Sequence, residues 1–154
     1  MQLLFACTRC RKYIQTAVAF LTTRVQEPDE DDWKKLCRVL EYLRGTIKLG
    51  LVLREDSLNV IKWWVDASYA IHPDMKVHTG ANMSLGGGSA ISMSKKHKLN
   101  ECSSTGAEVI GADDVMPQMF WKKYFCEEQG YPIEEKIMYQ DNLRAMMLET
   151  NSNK

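Results

Sequence analysis

The sequence lacks three features that would narrow its function at once: an excess of charge of one sign, a long apolar run and a complete cysteine pattern. Lysine plus arginine and aspartate plus glutamate both number 20, so the zero net charge gives no overall attraction to nucleic acid or to anionic membranes. The segment before Arg9 holds too few apolar residues for a signal-peptide core or a membrane span. We therefore expect an intracellular protein without a membrane partner.

Cysteine is present, but its spacing completes no known site. Five cysteines are an odd number without a secretory context, which favours reduced thiols over a disulfide framework. Cys7 and Cys10 form one CxxC motif, and no second CxxC motif or close histidine pair follows to complete a zinc site. With 45% apolar and 26% charged residues, the chain has the composition of a globular protein.

The first third of the chain is predicted to be helical. The stretches YIQTAVAFLTTRV, from Tyr13, and PDEDDWKKLCRVLEYLRG, from Pro28, both carry apolar residues at helical spacing. The second helix opens with an acidic turn, which suits the positive end of the helix dipole, and should end at Gly45. The acidic run is therefore better explained as a helix start than as a metal site.

After Gly45 the pattern changes to β character, and the short apolar run LGLVL and the polar loop REDSLN precede the first predicted strand. VIKWWVDASYA predicts a central strand that ends near Asp66, and GANMSL and SAISMS predict two more, joined by a hairpin at glycines 86–88. A basic loop, SKKHKLNE, leads into a long helix that starts near Ser104 and should kink or break at Pro117. KIMYQD and NLRAMMLET predict a fourth strand and a final helix.

These elements predict an α+β fold with a mixed sheet, preceded by two amphipathic helices. Three consecutive strands form an antiparallel meander, and the long helix crosses over to place the fourth strand parallel to the first. The C-terminal ends of neighbouring parallel strands open at one edge of the sheet. Asp66, Asp141 and Glu108 are therefore expected to converge, and divalent cations hold such carboxylate clusters together.

Each of these acids also has a simpler structural explanation. Asp66 would serve as a turn residue at a strand end, and Asp141 as an Asx turn or as the cap of the last helix. Thr105 and Glu108 have the spacing of a capping box, in which the two side chains satisfy an unpaired helix terminus. We favour the metal site, and we expect one of the hydroxyl residues 103–105 to cap the helix without Glu108.

Several short motifs together resemble a known family. VDASYA, HPDMKVHTG, SKKHKLN, SSTGAE and YQDN occur in an order and spacing that resemble the RNase H domain of copia-type retrotransposon polyproteins. IQTAVAFLTTRV and DDWKKLCRVLEYLRGT resemble the closing helices of the preceding reverse transcriptase domain. The resemblance implies a helical reverse-transcriptase tail at 1–53 and an RNase H-like domain at 54–154, whose last strand and helix are expected to be missing.

This resemblance implies a nuclease that hydrolyses the RNA strand of RNA–DNA hybrids by using two Mg²⁺ ions, with Mn²⁺ as a substitute. Asp66, Glu108 and Asp141 would be its catalytic residues and its metal ligands. One ion would activate a water for attack on the phosphate, and the other would stabilise the leaving oxygen. The implied partners are the RNA–DNA hybrid and the rest of the polyprotein.

Three basic residues and several departures from the family pattern complete this expectation. Lys95, Lys96 and Lys98 would contact phosphates of the hybrid, or they form a solvated turn. Gly106 replaces the first glutamate of the family's usual SSTEAE, which loosens the helix start by up to about 1 kcal/mol. From the resemblance we expect the polymerase active site, and the segment in which the family has a fourth metal-binding acid, to be missing from this chain. A non-catalytic retroelement remnant that at most binds metal or nucleic acid is therefore the alternative, and a helical interaction module is a third.

Overall fold

The computed structural model describes residues 2–56, 59–72, 74–98 and 100–151. The chain divides into two compact units, Met1–Val52 and Leu53–Lys154. The first unit is helical and the second is built on a β-sheet. No helix formed by the described residues is both long and apolar enough to cross a membrane.

The first unit consists of helices α1 (Gln2–Arg9), α2 (Gln15–Thr22) and α3 (Glu30–Gly45), with a short 3-10 turn before α2. Its core is formed by Cys7, Ile14, Val18 and Val39. The sequence pattern predicts α2 and α3 but not α1.

The acidic run at the start of α3 caps that helix, as predicted. Asp29 accepts a hydrogen bond from the Asp32 backbone N–H at 2.7 Å, and Asp32 accepts one from the Asp29 backbone N–H at 3.3 Å. Asp32 also pairs with Arg24 at 3.0 Å. These contacts use the acids for a capping box, which satisfies backbone donors at the helix start.

The second unit contains a four-stranded mixed sheet formed by β2 (Val60–Ser68), β3 (His78–Ser84), β5 (Ile91–Lys96) and β6 (Glu135–Tyr139). In the sheet these strands lie in the order β5–β3–β2–β6. β2, β3 and β5 form an antiparallel meander, and β6 lies parallel to β2. Helix α4 (Ser104–Glu128) makes the crossover and α5 (Leu143–Asn151) follows β6. The predicted RNase H-like mixed sheet is confirmed.

Two features lie beside this sheet. The apolar run LGLVL, which is not one of the predicted strands, forms no strand, and its Leu49, Val52 and Leu53 side chains are exposed. Arg54–Glu55 forms a short strand, β1, that pairs antiparallel with β4 at Gly86–Gly87. Two of the glycines expected to form a hairpin turn therefore supply a second, two-stranded ladder.

The prediction for Pro117 is a kink or a break, and helix α4 continues through this residue without a break. A proline inside a helix removes one hydrogen bond and costs about 3 kcal/mol. Buried residues lie on both sides of it, with Gly111 and Val115 before and Met119 after, at helical spacing. Packing of this face outweighs the local penalty. The helix ends at Glu128, close to the predicted stop at Gly130, whose φ is +85°.

The two faces of the sheet differ in what covers them. On β2, Ile61, Trp63 and Val65 point into the core, where they pack with Val115 of α4. The side chains between them alternate to the opposite face, and Trp64 is exposed there. Asp66 belongs to this second, open face.

Candidate metal centre

Asp66 and Asp141 occupy matching positions on neighbouring parallel strands. The last pair of the β2–β6 ladder is Trp64 opposite Tyr139, and each acid follows its partner in that pair by two residues. Asp66 lies inside β2, which continues to Ser68, rather than at its very end as predicted. Both acids are exposed. The parallel pairing of two strands far apart in sequence thus brings their carboxylates to one edge.

Glu108 reaches the same edge from the start of α4. Ser103 caps this helix, because its Oγ accepts the Gly106 backbone N–H at 3.0 Å. Glu108 is only 6% exposed, and its carboxylate accepts hydrogen bonds from Gln140 and from the backbone of Ala67. The capping box with Thr105 is not formed, which confirms the expectation that a hydroxyl residue caps the helix alone.

The three carboxylates converge as predicted. One oxygen of each of Asp66, Glu108 and Asp141 lies within 4.8 Å of the others, and no other group of three potential ligands occurs in the described part of the chain. Burial raises the pKa of Glu108, and the charges of Asp66 and Asp141 add to this. Hydrogen bonds from Gln140 and the Ala67 backbone act in the opposite direction.

This donor set fits a hard divalent cation. Mg²⁺ and Mn²⁺ prefer carboxylate oxygens, and three of them lie close enough here to share an ion. Carboxylates at such distances repel one another when ionised, and a cation would offset that repulsion. Asp66, Glu108 and Asp141 are therefore the residues that would hold the metal.

One of the two simpler explanations for Asp141, the cap of the last helix, does not apply, because the next residue caps that helix. Asn142 caps α5, because its Oδ1 accepts the backbone N–H groups of Arg144 at 3.0 Å and Ala145 at 3.1 Å. The helix therefore does not need Asp141 as its cap. This leaves the Asp141 carboxylate available to the cluster.

Gln140 contacts the cluster and is not predicted by the sequence. Its Nε2 donates to the Glu108 backbone oxygen at 3.0 Å and to Glu108 Oε2 at 3.2 Å. Its position directly before Asp141 is the only sequence signal that would have pointed to it.

An open cleft of about 440 Å³ adjoins the exposed acids. Its lining residues are Trp64, Val65, Asp66, Gly80, Asn82, Tyr139, Gln140 and Asp141. The rings of Trp64 and Tyr139 stack with their centroids 5.2 Å apart at an angle of 18°, and they remain 43% and 42% exposed. Gly80 lies opposite Asp66 in the ladder, and because it has no side chain it does not fill the cleft beside the Asp66 carboxylate. The cleft thus joins acids to an exposed aromatic pair.

Comparison with known proteins identifies the family. The retrovirus-related Pol polyprotein from transposon TNT 1-94 of Nicotiana tabacum is 32% identical over 97% of the chain. The Pol polyproteins from transposons RE2 and RE1 of Arabidopsis thaliana are each 31% identical over 92% of it. The chain belongs to the copia-type retrotransposon Pol family. It spans only 10–11% of the length of these Pol polyproteins. No protein-family model and no solved structure matches it.

In this Pol-family chain, two of the three predicted phosphate-binding lysines already have acidic partners. Lys95 contacts Asp114 at 3.1 Å, and Lys96 contacts Asp74 at 2.9 Å. Hydrogen bonding to Lys96 is the main cause that lowers the pKa of Asp74 to about 2. Lys95 and Lys96 belong to β5 rather than to the predicted basic loop. Lys98 follows the strand and is exposed.

Proposed function

We propose that the second unit is an RNase H-type endonuclease domain of a copia-type Pol polyprotein, which hydrolyses the RNA strand of RNA–DNA hybrids. The observation that carries this proposal is the convergence of Asp66, Glu108 and Asp141 at one edge of an RNase H-like sheet. The first unit would be the helical tail of the preceding reverse transcriptase domain. The remainder of the polyprotein and the hybrid would be the partners.

In this proposal the three carboxylates hold two Mg²⁺ ions, for which Mn²⁺ can substitute. Bound ions would supply an acidified water and charge stabilisation at the scissile phosphate. Asp66 lies on a central strand of the sheet and lines the cleft together with Asp141, and its exposure leaves it open to substrate. Glu108 is buried and would hold the metal from the inner side of the site, where few water molecules compete for its carboxylate oxygens.

The cleft suggests how a nucleic acid strand would lie. A phosphate at the acids would place an adjoining sugar or base beside the Trp64–Tyr139 pair, which offers an apolar wall. Lys98 would contact the backbone without reading its sequence. These contacts would suit recognition of the shape and charge of a hybrid rather than of particular bases.

The alternative function is a remnant that binds metal or nucleic acid weakly and does not cleave. One observation favours it: Lys95 and Lys96 are engaged by Asp114 and Asp74, so a phosphate would have to displace these carboxylates. Displacement of an exposed ion pair costs little, typically below about 1 kcal/mol. We therefore retain the nuclease as the first proposal.

A cleavage assay tests the proposal. The 154-residue chain would be incubated with a labelled RNA–DNA hybrid in Mg²⁺ and in Mn²⁺, beside Asp66→Asn and the control Asp113→Asn, an exposed acid on α4. We expect cleavage of the RNA strand by the wild type and the control, and a loss of at least about 100-fold in Asp66→Asn. Equal cleavage by all three proteins would refute the metal site. An inactive wild type would support the remnant.

A further inference from the structure

One side chain connects β6 to both the backbone and the carboxylate of Glu108. Gln140 stands between Tyr139, the last residue of β6, and Asp141. Its single Nε2 group donates to the Glu108 carbonyl oxygen at 3.0 Å and to Glu108 Oε2 at 3.2 Å. The amide therefore holds the acidic side chain and the helix that carries it at the same time.

The orientation of this amide follows from its partners. Both atoms of Glu108 that face it are acceptors, so a flipped amide would set oxygen against oxygen. In the observed orientation the other amide atom, Oε1, is buried and has no hydrogen-bond partner among the described residues. A buried acceptor without a partner is destabilising, and a functional role is one reason for such a group to persist. The loss of stability from the unpaired Oε1 therefore accompanies the orientation in which Nε2 contacts Glu108.

The chemistry of glutamine suits this position. Ionised Glu108 is repelled by Asp66 and Asp141, and its flexible side chain would otherwise swing away from them. A neutral amide donor opposes that movement without changing the charge of the cluster. A lysine or arginine would compete with a cation for the carboxylates, whereas a glutamate would add a fourth negative charge.

We infer that Gln140 is a positioning residue of the carboxylate cluster: its amide fixes one oxygen of Glu108 and so prepares the three acids to bind a divalent cation. This inference rests on the proposed function for the nature of the ligand. Partners of this kind, which hold a metal ligand without touching the metal, typically contribute 10-fold to 100-fold, as an order of magnitude, to metal affinity.

The test measures Mn²⁺ affinity by titration calorimetry on the complete 154-residue chain. Gln140→Met keeps the size of the side chain but removes the donor, and Gln118→Met makes the same change at an exposed position of α4. We expect Gln140→Met to bind Mn²⁺ about tenfold or more weakly, and Gln118→Met to bind it like the wild type. Gln140→Asn, which is one methylene too short to make both contacts, serves if Gln140→Met does not fold.

A second comparison separates positioning from a general effect on folding. If Gln140 acts through Glu108, Gln140→Met should weaken residual Mn²⁺ binding no further in a Glu108→Ala background. An equal loss in both backgrounds would overturn the inference, as would unchanged affinity in Gln140→Met and Gln140→Asn. A wild type that binds no Mn²⁺ would refute the metal site itself, and the inference with it. Metal binding that Asp66→Asn abolishes and both Gln140 variants retain would refute the inference alone.

Discussion

Asp66 and Asp141, which are 75 positions apart in sequence, each follow by two residues the pair Trp64–Tyr139 that ends a parallel ladder. The register of β2 against β6 therefore determines whether the two carboxylates meet. A slip of one residue would turn one of the strands over and send its acid to the opposite face of the sheet. The buried residues of β2, with Trp63 and Val65 facing the core, oppose such a slip.

Replacement of Glu108 by glutamine should stabilise the metal-free protein at neutral pH. Burial raises the pKa of Glu108 above its ordinary value of 4.5, so the folded state holds this proton more tightly than the unfolded state does. Stability without metal therefore falls as the pH rises from about 4.5 through the raised pKa. Glu108→Gln avoids that loss, and calorimetry in EDTA at pH 7.5 should show a Tm a few degrees above that of the wild type.

The same variant should lose its response to metal. Mn²⁺ stabilises a folded state that binds it, so the wild-type Tm should increase with Mn²⁺ concentration, whereas that of Glu108→Gln should not. Glu135→Gln, an exposed acid on β6, provides the matched control and should behave like the wild type. A Tm for Glu108→Gln in EDTA below that of the wild type would contradict the role of repulsion at this site.

The convergence of the acids is predictable from the sequence because it depends on topology. Alternating apolar residues identify β2, and the order of elements leaves β6 parallel to it across a helical crossover. Asp66 and Asp141 are then placed near the C-terminal ends of these two strands by their position in the sequence. The distances between the three carboxylates and the burial of Glu108 do not follow from the sequence pattern, because the packing of the helix decides which of its residues face the sheet.

Other parts of the site depend on the register between strands and on the direction of side chains, and no local sequence pattern predicts either of these. The stacking of Trp64 on Tyr139 needs the exact pairing of two strands that are distant in sequence. The contact of Gln140 with Glu108 depends on the position of helix α4 relative to β6 in the folded protein. The uninterrupted helix at Pro117 results from burial on both sides of it, which outweighs a local preference.

Acidification should weaken the second unit through two buried histidines. Nε2 of His72 lies 3.0 Å from Nδ1 of His78, whose Nε2 lies 2.7 Å from Ser94 Oγ. Burial, followed by Lys96 for His72 and by His72 for His78, lowers both pKa values below the ordinary 6.5. The unfolded state then binds protons first, so stability is complete above pH 6.5 and is lost as the pH falls below it.

Thermal unfolding between pH 7.5 and 5 measures this effect. Each histidine contributes a slope of at most about 1.4 kcal/mol per pH unit. The slope should therefore become smaller in His78→Gln, which retains a polar side chain between His72 and Ser94 but cannot be protonated. An identical pH dependence in the variant and the wild type would show that the unit loses stability through other groups.

Lys98 should contribute about one phosphate contact to the binding of a hybrid. Each counterion that is released on binding changes the slope of the logarithm of the binding constant against the logarithm of the salt concentration by about 0.9 or less. Lys98→Gln should lower that slope by about one, and Lys48→Gln, an exposed lysine of the first unit, should leave it unchanged. Binding would be measured with Ca²⁺ in place of Mg²⁺ over a range of salt concentrations. An unchanged slope in Lys98→Gln would place the bound strand elsewhere.

Trp64 should contact the bound strand next to the acids. Stacking of an aromatic side chain on a nucleoside typically contributes about 1–3 kcal/mol, so Trp64→Leu should weaken hybrid binding in Ca²⁺ about fivefold to 100-fold. The chain offers a matched control: Trp121 stacks on Phe125 at 5.4 Å and 15° on the exposed side of α4. Equal losses in Trp64→Leu and Trp121→Leu would show that the cleft is not the binding site.

Two glycines of α4 should respond in opposite directions to the same substitution. A Cβ at Gly106 would meet the flexible end of the Glu101 side chain at 2.9 Å, which can move away. Gly106→Ala should therefore stabilise the helix by up to about 1 kcal/mol, because alanine has the higher helix propensity. A Cβ at Gly111 would lie 3.2 Å from the Ala67 Cβ, which is fixed to the backbone of β2. Overpacking of this kind costs about 1–3 kcal/mol, so Gly111→Ala should destabilise the protein despite the gain in propensity.

The position of Gly111 gives this pair of variants a second readout. Gly111 lies one turn after Glu108 and packs between Ala67 and Thr79, so an added methyl group would push α4 away from the strand that carries Asp66. Gly111→Ala should therefore weaken Mn²⁺ binding as well as lower the Tm, whereas Gly106→Ala should raise the Tm and leave the affinity unchanged. Equal Mn²⁺ affinities in the two variants would mean that the cluster tolerates movement of the helix. In that case the close approach of α4 to β2 would serve packing alone.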